Sequence, residues 1–141
     1  MAKKILMCLF LTLLIAACSS DKEDNNIYGY TFQQKDLNRD DDVLNKSATK
    51  LINSEQEFKE FTHSETASGI NFSKKTLLVV YGCNSTGVDK VTDNISRDSD
   101  KYMITVNVRC NFTAVLSPWA VAYIVPKLTN LNNVKAVVTY N

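Results

Sequence analysis

The chain has 141 residues, 45% hydrophobic and 22% charged, which suits one globular core and excludes a chain too polar to fold. Its formal net charge is +1 and its basic residues are scattered, so the concentrated cationic face that nucleic acid demands is missing. One histidine and four cysteines offer little material for a metal centre or a nucleophile-base pair.

Lys3 and Lys4 precede an apolar run from Ile5 to Ala17 that is broken only by Thr12. A spanning helix needs roughly 20 apolar residues and a signal peptide about 7–15, so the run is read as a signal peptide. The residues Ile15-Ala16-Ala17-Cys18 resemble the bacterial lipobox, an aliphatic residue and two small ones before a cysteine. Residues 1–17 are therefore expected to be removed and Cys18 to carry the lipid; the alternative is an ordinary secretory peptide with a chance cysteine. Loss of Lys3 and Lys4 leaves a net charge of about −1. Each buried methylene contributes about 0.8 kcal/mol, so several acyl chains hold the protein without a transmembrane helix. Ser19 stands where an aspartate, by resemblance to enterobacterial sorting signals, implies inner-membrane retention; the outer membrane is expected instead. Lys22-Glu23-Asp24 resembles the export tether of Bacteroidetes surface lipoproteins, which implies the cell surface, while a plain solvated linker over residues 18–26 explains the same residues.

Residues 27–141 are expected to form a single domain. Ile27 to Phe32 reads as a short strand, followed by an acidic surface loop. Within that loop Asp36, Asn38 and Asp40 have the alternate spacing of a calcium loop. The sixth position is Asp41 where glycine is wanted, and the twelfth is Ser47 where a glutamate should close the site. A solvated loop is the expectation, with no metal or cofactor. Ser54-Glu55-Gln56-Glu57 is a capping box that opens a helix of about residues 54–62. Phe58 and Phe61 are its core anchors, and His63 is a polar helix-end residue.

The remainder is β in pattern. Leu77, Val79, Tyr81 and Cys83 share one face of a strand, as do Tyr102, Ile104, Val106, Val108 and Cys110 of another. A turn through Asn84 to Gly87 leads into Val88–Ile95, and neighbouring strands are expected to pair antiparallel. Trp119 to Val125, bracketed by Pro118 and Pro126, is apolar on both faces, and Val134 to Tyr140 completes the sheet. With Cys8 removed and Cys18 lipidated, Cys83 and Cys110 are the remaining pair in an oxidising compartment. A disulfide between them would add roughly 3–4 kcal/mol; two buried unpaired thiols are the alternative. The fold class expected is α+β, a strongly curved antiparallel sheet or small barrel of about five to seven strands with one packed helix.

Ile52 to Phe58, Ile70 to Val80 and Ser117-Pro118-Trp119 through Lys127 together resemble the PrcB-like domain of exported bacterial lipoproteins, over roughly residues 51–141. The glycine-glycine-tyrosine turn common in that family is replaced here by Ser85-Thr86-Gly87-Val88. The resemblance implies a protein partner, since the named member assists assembly of a secreted protease complex. Two classes of function are thus carried forward: a non-catalytic envelope module that binds a protein through turns at one end of the sheet, and an enzyme or small-ligand binder. An exposed apolar patch near residues 84–88 or 111–118 is the mark of the first, and a deep polar pocket with perturbed titratable groups is the mark of the second.

Overall fold

A computed structural model describes residues 24–37 and 41–141. Cys18 and the proposed signal segment lie outside the described residues, as do Asn38 and Asp40. The elements in order are β1 (Tyr28–Tyr30), β2 (Ser47–Ile52), α1 (Glu55–Thr62), β3 (Lys75–Asn84), β4 (Val88–Asp98), β5 (Lys101–Cys110), β6 (Ser117–Pro126) and β7 (Val134–Tyr140). Short 3-10 turns occupy Gln34–Asp36 and Asp41–Val43.

Strands dominate, and they form two sheets rather than one strongly curved sheet or a barrel. The first sheet has the order β1-β6-β3-β2, antiparallel throughout. The second has the order β4-β5-β7, in which β4 and β5 form an antiparallel hairpin and β7 runs parallel to β5. The expected antiparallel pairing of β3 with β4 does not form. Both edges of β3 are taken, by β2 and β6, so the chain leaves through Ser85–Gly87 to start the second sheet.

Burial explains this layering. From Leu77 to Val80 every side chain of β3 is fully buried, so both faces of the strand need cover. Leu78 and Val80 meet Tyr102, Ile104, Val106 and Val108 of β5 between the sheets. Leu77 and Val79 meet Ile52, Phe58 and Phe72 on the opposite face, where α1 packs. The molecule is a stack of three layers: helix, four-stranded sheet, three-stranded sheet.

Helix α1 starts at the expected cap, where Ser54 Oγ accepts from the Glu57 N–H at 3.1 Å. The reciprocal arm of the capping box reaches one residue further back than expected, with Glu57 Oε2 accepting from the Asn53 N–H at 2.6 Å. His63 ends the helix in the left-handed region at φ 52°.

Candidate functional site

The strand ends define two poles. At one, Lys75 opens β3 and its ammonium pairs with Asp24 at 3.3 Å, so the described chain enters there. At the other, ten residues and about 30 Å along β3, three segments converge: the approach to β2, the turn from β3 to β4 and the loop from β5 to β6. The Asn45 N–H donates to the Cys83 carbonyl at 2.7 Å, and Asn45 Oδ1 accepts from the Ser85 N–H at 3.0 Å. The Gly87 N–H donates to the Thr113 carbonyl at 2.9 Å, and the Asn111 N–H donates back to the Gly87 carbonyl at 2.8 Å. A Cβ on Gly87 would run into the side chains of Asn111 and Thr113, so glycine is what lets these two segments close.

On this fixed base the loop carries its large apolar side chains outward. Phe112 is 108% exposed, Val115 54% and Leu116 39%. Asn111 holds the stem, its Nδ2 donating to Asp89 at 2.7 Å and its Oδ1 accepting from the Thr113 N–H at 3.0 Å. Three large apolar side chains thus stand in solvent on a loop whose stem is held by hydrogen bonds.

A groove of about 550 Å³ opens along the side of the stack, between β1 and β6 of one sheet and the start of β4 of the other. Trp119, Val121 and Tyr123 of β6 and Val91 of β4 are among its lining. The Tyr123 hydroxyl donates to the carboxylate of Asp93. Burial first, then the hydrogen bond to Asp93 and its charge, push the Tyr123 phenol far above its usual range. A phenol so held stays protonated and donates.

Of the residues singled out in the sequence, Asp36, Cys83 and Cys110 are among those described. Asp36 sits on the first 3-10 turn, and no group of three His, Cys, Asp or Glu side chains able to hold a metal occurs among the described residues. The Cys83–Cys110 bridge expected from the sequence is not formed. Cys83 belongs to the alternate set of β3 that faces the helix layer, with Leu77 and Val79, whereas Cys110 ends the β5 set that faces the first sheet. The four-stranded sheet stands between them, and Asn84, one residue on from Cys83, is the side chain that meets Cys110. Asp93 and Gly29 carried no signal as isolated residues; the alternation Val91, Asp93, Ile95 did place an acid on an inward-facing register.

No family model matches this chain, and no curated protein or solved structure matches it either.

Proposed function

We propose that this chain is a lipid-anchored envelope protein that acts as a non-catalytic protein-binding or assembly module. Cys18 carries the lipid, residues up to Asn26 form the tether, and the protein stands on the outer membrane with its domain at the cell surface. The partner meets the loop of residues 111–116. The observation that carries this reading is the exposure of Phe112, Val115 and Leu116 on a hydrogen-bonded base, because several large apolar side chains held in water on one short loop gain free energy when a partner covers them. The poles support it too: the described chain enters beside Lys75, so a lipid ahead of Asp24 leaves the loop at the far end of β3. The resemblance of residues 51–141 to the PrcB-like domain supports a partner drawn from a protease or envelope complex.

Two experiments test the reading. Labelled palmitate should mark the wild type and not Cys18→Ala; equal labelling of both, or of neither, removes the anchor. A photo-crosslinking side chain in place of Phe112 should capture a protein of one defined mass in intact cells, and the same group in place of Thr105, on the outer face of the three-stranded sheet, should not. Capture at neither position, or equally at both, overturns the assignment of the loop.

A further inference from the structure

The stack is four strands over three, and the missing place has a definite position. Asn84 of β3 meets Cys110 of β5, and Tyr123 of β6 meets Asp93 of β4, so β5 lies across from β3 and β4 across from β6. Beyond β6 the first sheet continues with β1, while the second stops at β4. Residue 29 of β1 is in register with Tyr123, an inter-sheet core residue, so it faces the same way. It is glycine, and a Cβ there would meet nothing within 4 Å. The groove of about 550 Å³ is the space above it.

Among the described residues, the edge that borders this space is unpaired. Even-numbered residues of β5 direct their main-chain groups to β7's side, as the Tyr102 N–H does to Asn133 and the Cys110 N–H to Asn141. Odd-numbered residues of β5 therefore bond to β4, whose partners in register are Lys90, Thr92, Asn94 and Ser96. Val91, Asp93 and Ile95 consequently turn their N–H and C=O groups toward the groove side, where no main-chain partner is found among the described residues.

We infer that this vacancy receives an extended segment of a partner protein as an eighth strand, paired with the free edge of β4 and carrying a basic side chain to Asp93. The inference rests on the reading of the chain as a protein-binding module, though not on the loop at residues 111–116. The strand's inward side chains would lie over Gly29 and Val121, and its main chain would satisfy Val91, Asp93 and Ile95. Asp93 supplies the charge preference: it faces inward, hydrogen-bonds to Tyr123, and has no ion pair among the described residues. A neutral strand laid over Asp93 would take water from an unpaired carboxylate, whereas a basic side chain there would pair with it.

The test is residue-resolved amide hydrogen exchange on the full mature chain. The probe is a nine-residue peptide of alternating valine and threonine with one inward valine replaced by lysine, and its counterpart carries glutamate there. The expected result is that the amides of Val91, Asp93 and Ile95, fast alone, slow at least about tenfold with the lysine peptide while Thr92 and Asn94 stay as they were. The glutamate peptide should protect less. Gly29→Val fills open space on a strand and leaves the ladder alone, so it should retain the wild-type melting curve and lose the protection. The inference is overturned if millimolar lysine peptide protects none of the three amides, if protection survives Gly29→Val, or if it falls only on residues 111–116. Crosslinking at Phe112 that persists under any of these results leaves the protein-binding reading standing.

Discussion

The side-chain amide of Asn84, at the end of β3, donates a hydrogen bond to the sulfur of Cys110, at the end of β5, at 3.0 Å. The same side chain accepts from the indole N–H of Trp119 at 3.3 Å, so one buried amide fastens three strands from two sheets. Asn84→Ala leaves the Trp119 N–H buried without its acceptor, which should cost about 1–3 kcal/mol. Urea denaturation measures it, and a loss under half a kcal/mol would mean that Asn84 does not clasp the sheets.

Because Cys83 and Cys110 face different layers, their two thiols should stay outside any disulfide. Thiol labelling after denaturation without reductant should mark both Cys83 and Cys110, read by mapping the labelled peptides. A count of zero that rises to two on reduction would show that the ends of β3 and β5 rearrange.

The phenol of Tyr123 is raised far above its ordinary value of 10 by burial and by Asp93, and burial also raises Tyr30, Tyr102 and Tyr140. A raised folded value means that the folded chain keeps protons which the unfolded chain releases. Their contribution is complete below about pH 10 and is lost as the pH climbs past it. Urea midpoints should fall steadily above about pH 10, and Tyr123→Phe should flatten that fall. An identical slope in the two proteins would contradict the assignment.

Ser54→Ala removes the acceptor for the Glu57 N–H and should lower stability by about 0.5–2 kcal/mol. Helical circular dichroism and thermal melting report it together. Restoration by Ser54→Asp, another good cap, separates capping from packing.

Phe112 and Trp119 stand at the two ends of the exposure range, 108% and 3%, within one stretch of chain. Phe112→Ser should change stability by no more than about 0.5 kcal/mol and abolish partner capture, whereas Trp119→Ala should cost about 3–5 kcal/mol. A large loss of stability from Phe112→Ser would make the loop a folding element instead of a contact.

Local signals in the sequence survived into the structure where one residue decides an element. Ser54 opens α1, His63 closes it, and the run from Val134 to Tyr140 is strand β7. Strand β2, Ser47–Ile52, went unread because Ala48 and Lys50 are poor strand formers and the strand is only half buried at a sheet edge. Pro118 and Pro126 lie within β6 at its ends instead of outside it. Pro118 is tolerated because its main chain faces the open side, where its carbonyl accepts from Gln34 Nε2 at 3.2 Å. The alternation that groups Cys83 with Leu77 and Val79 was legible; which layer each face would meet was not, since that depends on β6 coming between β3 and β1 from some 35 residues away. Asp93 and Tyr123 share a site only through the same layering.

The order in which the chain visits its two sheets has a consequence for how it acquires them. It lays down β1, β2 and β3 in the first, β4 and β5 in the second, returns with β6 to the first and ends with β7 in the second. Until β6 is available, β3 has one bare edge and β1 has no neighbour at all; until β7 docks, the far edge of β5 is bare. Neither sheet can be completed from local contacts alone, so folding has to close long loops, with β6 reaching β3 across the whole of β4 and β5.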